Sequence, residues 1–502
     1  MAILSQLLTE YNEQFSPYLV LHGASHGEVH VAQAVCDSRR MEQDALFCCI
    51  RGEKADGHDH AGQAVERGAS ALLVERLLPL DVPQLLSMDV RRDMGRIASL
   101  LYGCPSKKLS MFAVTGTNGK STTTWIIRHM LQSLGIKTGL FGTIVYNDGL
   151  SERDADRTTP ESCDIQRALG DMVRNGCTAC VMETSSHGLC LGRLEGCSYD
   201  GAVFTNLSEE HLDFHHTLEE YYLAKRRLFT TYMKDGWQGA GNWDDPYGRR
   251  IVGEFSGIVR PFGLSEPRGA GVWAEEIDVG LERTTATFFF PDTGERYAVS
   301  TPLTGTFNVS NMLGATALLS GVLHERRAIV EALGSMIQVP GRLEKYFFSN
   351  GVCAIIDFAH TPFALKNILS ALRPLCSGSL IALFGHGGER FKPNRPSLGR
   401  VAAQYADRVI ITMDNPRGED PAEIARQIEQ GVLEARRGTV LSTILDREAA
   451  VFAALEGAKS GDVVVISGKG PEKHIVIGDR KIPYSDRDAV LAWAARKGVT
   501  WR

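Results

Sequence analysis

Short apolar runs, each closed by Gly, Pro or charge, alternate along the chain with stretches of helical periodicity. Up to about residue 108, "ALFCCI" and "ASALLVE" read as strands and "HAGQAVERGA" as a helix, which makes a small α/β unit ending near "YGCPSKK". "SMFAVTG" opens a second region as a strand that runs through a loop into a long helix. In "RTTPESCDIQRALGDMV" Thr159 stands as a predicted N-cap, Pro160 suits the first helical position, and "NG" stops the helix. The strands "CTACVMET" and "GAVFTN" follow. After "VPGRLEKY" the pattern restarts with "SLIALFGHGGER", "ADRVIITMDNPRGEDP" and "DVVVISGKGPE", each an apolar strand running into a loop of Gly, Pro and charge. Such alternation predicts α/β architecture with doubly wound parallel sheets. Ligands gather outside the carboxyl ends of such strands, so these three loops are expected to converge on one site. The division predicted is 1–108, 109–338 and 339–502.

A chain of 502 residues exceeds a single ordinary core and suits about three domains. Its composition, 43% hydrophobic and 23% charged, is that of a globular protein. A net charge of −6 and the lack of a long basic run argue against nucleic acid as a partner, although local Lys and Arg could still hold a polyanion. The start "MAILSQLLTEYNEQF" lacks the basic n-region of a signal peptide, and no stretch is long and apolar enough to span a bilayer. The 11 Cys are scattered, many in apolar surroundings, as expected of reduced thiols, and the expected location is the cytoplasm. Cys177 and Cys180 have CxxC spacing, but strand alternation would point them to opposite faces, so core positions are expected.

The candidate chemistry starts at "AVTGTNGKSTTTWII". Gly116 and Gly119 let backbone N–H groups of a strand-to-helix loop approach phosphate oxygens, and the helix N-terminus favours anions. Lys120 would reach the outer phosphates, and the Ser121 hydroxyl would take Mg²⁺. Val114 stands where the common GxxxxGK[ST] pattern has its first Gly, so the loop is tighter. A phosphate-bound Mg²⁺ needs a carboxylate, and Glu183 at the end of "ACVMETSSHG" is placed to supply it. In "NLSEEHLDFHHTLEEYYLAKRRLF", His211 and His215 are four apart and on a helix would share a face, which leaves zinc binding or an ordinary polar helix open. Lys225, read alone, is a solvated lysine.

Together these stretches resemble the Mur ligase family, the ATP-dependent enzymes that extend the peptide of the bacterial cell-wall precursor, and within it the MurE type. The resemblance runs through "DSRR", "GEKADGH", "TGTNGKSTT", "TTPES", "METSSHGL", "FTNLSEEHLDFH", "YYLAKRRLF", "GNWDD", "GTFNVSN", "GRLE", "DFAHTP", "DNPRGEDP" and "GKGPE". It implies three domains: one that binds the UDP-substrate, a central P-loop domain, and a Rossmann-like C-terminal domain that binds the amino acid. Lys225 matches a lysine that is carbamylated in the family, and with Ser121, Glu183 and His211 it would hold Mg²⁺. Lys120, Glu183, His211 and Lys225 would form the catalytic set. The phosphate loop, Gly116, Thr117, Asn118, Gly119, Lys120, Ser121 and Thr122, would bind ATP together with Arg342, Asp357, His360 and Lys392. Ser38 and Arg39 of "CDSRR", the "GEKADGH" loop, Thr158, Thr159, Ser185 and Arg193 match positions that hold the uridine nucleotide. Arg390, Asp414, Asn415, Arg417, Gly468 and Glu472 match the amino-acid pocket.

The activity implied is ligation of meso-diaminopimelate to UDP-MurNAc-L-Ala-D-Glu through an acyl phosphate, in peptidoglycan synthesis, by a monomer. Arg417 would grip the far carboxylate of diaminopimelate bidentately and Glu472 would accept from its far ammonium. The competing reading for Arg417 is a loop salt bridge with Glu419 or Asp420. Six positions depart from the usual pattern: Glu389, Phe391 and Pro393 in "GGERFKP", Pro471 in "GKGPE", Leu191, and Glu210 beside His211. The rivals are a paralogue that joins another amine to another carboxylate, as in secondary metabolism, a Mur-like nucleotide-binding scaffold without catalysis, and, more distantly, folylpolyglutamate synthase.

Overall fold

The computed structural model describes residues 2–23, 28–52, 55–266, 271–435 and 438–502. The chain packs as two compact units. One comprises Met1–Trp273, Phe289–Glu295 and Ser310–Ala332, and the other Ala274–Phe288, Arg296–Val309 and Leu333–Arg502. The division passes through the strands Val272–Val279, Thr284–Phe290 and Glu295–Thr301 and the helix Thr306–Val322.

The first unit begins with a five-stranded sheet in the order Val20–His22, Gln84–Leu86, Ala69–Val74, Ala45–Cys48, Gln33–Val35. All neighbours but the first pair are parallel. The strands predicted at "ALFCCI" and "ASALLVE" form its centre, and the predicted helix lies at Ala61–Glu66. The helices Leu4–Gln14 and Val90–Leu101 bury Leu7, Tyr11, Met94 and Ile97 against Leu46 and Leu73.

The same unit carries a larger sheet built around the strand Ser110–Thr115. That strand lies between Ala179–Glu183 and Tyr199–Phe204, parallel to both. Each of the three is apolar over most of its length because both faces are covered. Register matters more than composition here: Glu183 pairs with Val114 and Phe204 with Thr115, so three strands end at one level beside the phosphate loop. The helix Ser162–Arg174 starts two residues later than predicted, with Glu161 at the N-cap position. The Thr159 hydroxyl is engaged elsewhere, on Glu183 and Ser185. Asn175 and Gly176, the latter at φ +79°, end the helix as expected. Cys177 lies just before the strand rather than in it, and both it and Cys180 are buried.

The second unit contains a six-stranded sheet in the order Glu344–Phe347, Cys353–Asp357, Val463–Ser467, Leu380–Phe384, Arg408–Ile411, Val440–Thr443. Only the first pair is antiparallel. Helices Pro362–Leu372, Asn394–Tyr405 and Pro421–Glu434 cover one face, and Arg447–Glu456 and Asp486–Lys497 the other. This is the doubly wound arrangement expected of a Rossmann-like domain.

A fully buried ion pair, Arg447 with Asp486, closes the second face through bonds of 2.7 and 2.8 Å. Arg447 also donates to the carbonyls of Ser467 and Met413, and the Tyr484 hydroxyl donates to Asp486. Removing one partner leaves a buried charge alone, so Asp486→Ala should lower unfolding stability by about 3–5 kcal/mol. Urea unfolding followed by circular dichroism measures this.

Candidate active site

The phosphate loop is shaped by a second segment, Thr205–Ser208. The Thr117 N–H donates to the Asn206 carbonyl at 2.8 Å, and the Asn118 N–H to Asn206 Oδ1 at 2.9 Å. In return the Asn118 carbonyl accepts from Thr205 Oγ1 and Asn206 Nδ2. Gly116, at φ +147°, passes so close to this segment that a Cβ there would lie 1.9 Å from Thr205 Oγ1. Gly119, at φ +84°, starts the helix Lys120–Ser133, whose first N–H groups face the loop. Lys120 Nζ donates to the carbonyls of Gly116 and Thr117. Gly116→Ala should therefore open the loop and weaken nucleoside triphosphate binding by tenfold or more, roughly the effect of an ångström-scale misplacement. Fluorescent nucleotide titration of the folded variant reads this directly.

Glu183 is the hub beside the loop. It is fully buried; its Oε2 accepts from Ser121 Oγ and Thr143 Oγ1, both at 3.0 Å, and its Oε1 from the Thr143 N–H at 2.8 Å. Thr143 Oγ1 lies 3.0 Å from Thr158 Oγ1. The Thr159 hydroxyl donates to the Glu183 carbonyl, lies 3.0 Å from Ser185 Oγ and accepts from the Ser185 N–H. Arg193 donates to the Thr159 carbonyl and pairs with Glu161 at 3.1 Å. Arg91 and Arg157 also reach Glu161, so three guanidinium groups share one carboxylate and leave a local excess of positive charge. Such a cluster suits a polyanion.

Lys225 is far from a solvated lysine: it is 1% exposed. Its Nζ donates to the Gly116 carbonyl at 2.7 Å and lies 4.4 Å from the Tyr221 ring centroid. Burial, reinforced by the charge of Lys120, pushes its pKa well below the usual lysine range. His211 sits at φ +57° immediately before the four-residue helix Leu212–His215, so the two histidines do not share a helical face. The His211 ring meets His187, with centroids 4.8 Å apart, while His215 stacks on Tyr221. Among the described residues no three His, Cys, Asp or Glu side chains form a metal-holding group, so the zinc reading lacks its ligand set. A hydroxyl and a carboxylate in contact, Ser121 and Glu183, are hard oxygen donors that fit Mg²⁺, which takes few protein ligands and completes its shell with phosphate and water.

In the 3-10 turn Ser38–Arg40 that follows a strand of the N-terminal sheet, Ser38 is buried and donates to Gln63 Oε1. Arg39 is exposed and forks onto Asp37 at 2.8 and 2.9 Å. Of "GEKADGH", Glu53 and Lys54 lie outside the described residues.

Within the second unit Asp357 ends a strand. Its carboxylate accepts from the N–H groups of Leu343 and Ala359, and the Arg342 guanidinium lies 4.6 Å from the Phe358 ring centroid. Burial raises the Asp357 pKa against the opposing pull of Arg342. His360 Nδ1 lies 2.9 Å from the Phe358 carbonyl, whereas Lys392 turns to Glu419 at 3.7 Å.

The three predicted loops do converge. Lys469, fully buried, lies 3.5 Å from Asp414 Oδ1 and donates to Asn415 Oδ1 at 3.1 Å and Glu472 Oε2 at 2.7 Å. Asn415 Nδ2 also donates to Glu472. Burial would raise the Asp414 pKa, but Lys469 and Arg447 outweigh it and hold the carboxyl below its ordinary value. Gly468, at φ +111°, brings the backbone against Asp414. Arg417 donates to the Gly388 carbonyl. The salt bridge considered for it does not form: Glu419 accepts two bonds of 3.0 Å from Arg395, and Asp420 caps the helix Pro421–Glu434. Arg390 is exposed near this loop.

Four of the six departures are accommodated locally. Pro393 precedes the helix Asn394–Tyr405, Phe391 is 69% exposed, and Glu389 accepts from the Gly418 N–H. Pro471 packs so tightly on Gly341 that a Cβ on that glycine would lie 2.3 Å from its nitrogen.

Thr143, Glu161, Asn206, Tyr221 and Lys469 join the site without having stood out in the sequence. Lys469 could have done so, since it lies inside "GKGPE"; Thr143 carries no local signal, being tied to Glu183 across 40 positions.

Comparison with known proteins finds three Mur ligase models along the chain: the Mur ligase family catalytic domain over residues 30–97, the Mur ligase middle domain over 114–319, and the Mur ligase glutamate ligase domain over 341–470. A UDP-N-acetylmuramoyl-L-alanyl-D-glutamate--2,6-diaminopimelate ligase of Geobacillus kaustophilus is 40% identical over 96% of this chain and 98% of its own. A ligase of the same name from Gloeobacter violaceus is 38% identical over 92% and 93%. A solved structure of a ligase of that name aligns with TM-score 0.64 at 30% identity, covering 94% of this chain and 96% of the other. A MurF crystal structure from Acinetobacter baumannii, 18% identical, shares the fold with TM-score 0.67 over 98% and 97%.

Proposed function

The chain belongs to the Mur ligase family, and on that premise we propose that it joins meso-diaminopimelate to UDP-MurNAc-L-Ala-D-Glu at the expense of ATP, as a step in peptidoglycan precursor synthesis. The observation that carries the reading is the network from Ser121 through Glu183 to Thr143, Thr158, Thr159 and Arg193, which puts the phosphate loop and the nucleotide-substrate motifs in one hydrogen-bonded cluster. The working division is 1–108 for the uridine nucleotide, 109–338 for ATP and 339–502 for the amino acid.

A carboxylate resists amine attack at neutral pH because it is a poor electrophile. Transfer of the γ-phosphoryl group gives an acyl phosphate and ADP; the amine then attacks the carbonyl carbon and phosphate leaves. Two anions meet in the first step, so the work is charge neutralisation and positioning. Lys120 and the N-terminus of its helix neutralise phosphate, with Gly116, Thr117, Asn118, Gly119, Ser121 and Thr122 cradling it. Ser121, Glu183, His211 and carbamylated Lys225 would hold Mg²⁺, which supplies further charge neutralisation to the phosphates and the acceptor carboxylate. Arg342, Asp357, His360 and Lys392 are assigned to ATP, and Ser38, Arg39, Thr158, Thr159, Ser185 and Arg193 to the uridine nucleotide. The surplus charge of Arg91, Arg157 and Arg193 around Glu161 supports a diphosphate-bearing ligand. Arg390, Asp414, Asn415, Arg417, Gly468 and Glu472 form the amine pocket, and Lys469 aligns Asn415 and Glu472 within it. No described helix is long and apolar enough to cross a membrane.

The test is phosphate release with ATP, Mg²⁺ and UDP-MurNAc-L-Ala-D-Glu across meso-diaminopimelate, L-lysine, L-ornithine and no amine. Release that depends on diaminopimelate, with a tripeptide product by mass, is the expected result. Silence with every amine would move the assignment to a different carboxylate.

A further inference from the structure

Two of the 11 cysteines, 127 positions apart in sequence, meet in space: Cys163 Sγ lies 3.7 Å from Cys36 Sγ. Cys36 is two residues before Ser38 in "CDSRR", next to the strand Gln33–Val35. Cys163 is the second residue of the helix that begins on the last residue of "TTPES", Ser162. An ion pair of 3.2 Å between Arg40 and Asp164 ties the same two segments together, so the sulfurs face each other across a packed junction. Cys36 is half-buried and Cys163 is 1% exposed. All 11 cysteines are free thiols.

We propose that Cys36 and Cys163 form a reversible disulfide under peroxide, and that the cross-link weakens binding of the uridine nucleotide. The second half rests on the function proposed above. In the first step the Cys36 thiolate attacks one peroxide oxygen: an S–O bond forms, the O–O bond breaks, and hydroxide leaves to become water with the thiol proton. The Cys163 sulfur then attacks the Cys36 sulfur: the S–S bond forms, the S–O bond breaks, and a second water leaves with the Cys163 proton. Two thiols are oxidised by two electrons, and one peroxide is reduced to two waters.

The order follows from access. Cys36 is the sulfur that solvent reaches, while the neighbouring Cys36 sulfur and burial push the Cys163 thiol well above its ordinary pKa, so Cys163 is not the thiol that meets peroxide first. Bond formation must draw the sulfurs from 3.7 Å to about 2 Å. That shift moves the turn bearing Ser38 relative to the helix that follows Thr158 and Thr159, two groups assigned to one ligand. Displacement of this order is expected to weaken that ligand about tenfold.

The experiment treats the reduced full-length chain with hydrogen peroxide, alkylates residual thiols and maps linked peptides by mass spectrometry. In parallel, UDP-MurNAc-L-Ala-D-Glu is titrated calorimetrically before oxidation, after it, and after dithiothreitol. A Cys36–Cys163 linked peptide, about tenfold weaker binding and recovery on reduction are expected, with Cys36→Ser and Cys163→Ala each unresponsive to peroxide relative to its own untreated form. A link to Cys48 instead, or only singly oxidised Cys36, overturns the pairing. A Cys36–Cys163 link with unchanged affinity overturns the coupling. A reduced chain that fails to bind the nucleotide overturns the functional reading and with it the coupling, while the linked peptide still decides the pairing.

Discussion

Lys225→Ala should lose ligation by about 10²- to 10³-fold while still binding the uridine nucleotide. A buried lysine beside a phosphate loop has two fates. As an ammonium it lacks a salt-bridge partner among the described residues: its Nζ meets the Gly116 carbonyl and the Tyr221 ring, and the Glu210 carboxylate acts on it only electrostatically. As a neutral amine, which its depressed pKa favours, it can add carbon dioxide and become an anionic carbamate. The carbamate would turn a cation at the loop into a ligand for Mg²⁺, and losing a preorganised charge of that kind costs a factor of about 10²–10³ in turnover. Single-turnover ligation of Lys225→Ala, with calorimetric binding of UDP-MurNAc-L-Ala-D-Glu as the control for folding, measures both halves. Partial recovery of Lys225→Ala by added acetate is expected if the missing group is a carboxylate equivalent. Near-normal turnover of the variant would remove Lys225 from the machinery.

The strands and the phosphate loop were legible because they obey local rules: an apolar run, two glycines at positive φ, then a helix with a lysine in its first turn. The convergence of the three loops in the second unit was legible because parallel strands leave their carboxyl ends on one edge. What escaped was set by partners distant in sequence. Thr159 satisfies the usual rule for an N-cap, yet its hydroxyl bonds Glu183 and Ser185, 24 and 26 positions away, and the helix begins later. His211 and His215 satisfy i,i+4 spacing, but the left-handed backbone at His211 breaks the helix on which that spacing has meaning. Lys225 carries a surface residue type, and only the closure of its helix over the loop buries it. Arg39, in a recognised motif, folds back on its own Asp37, a pairing only two positions apart in sequence.

Arg417→Ala should abolish the preference for meso-diaminopimelate over L-lysine and leave ATP binding unchanged. The two amines differ at the far end, where diaminopimelate carries a carboxylate and lysine none. An arginine already spent on a loop carboxylate could not read that difference. Here Glu419 belongs to Arg395 and Asp420 to a helix cap, and among the described residues Arg417 has no carboxylate partner. Its bond to the Gly388 carbonyl instead fixes the direction of the guanidinium while leaving donors over. A bidentate bond to a substrate carboxylate is worth about 2–3 kcal/mol, so its loss should cut the selectivity in kcat/KM roughly 30- to 150-fold. Most of the change is expected in KM for diaminopimelate, with L-lysine nearly unaffected. Arg417→Lys keeps the charge but loses the planar fork, and should fall between the two. An unchanged preference in Arg417→Ala would place the discrimination elsewhere in the pocket, with Arg390 the next guanidinium to replace.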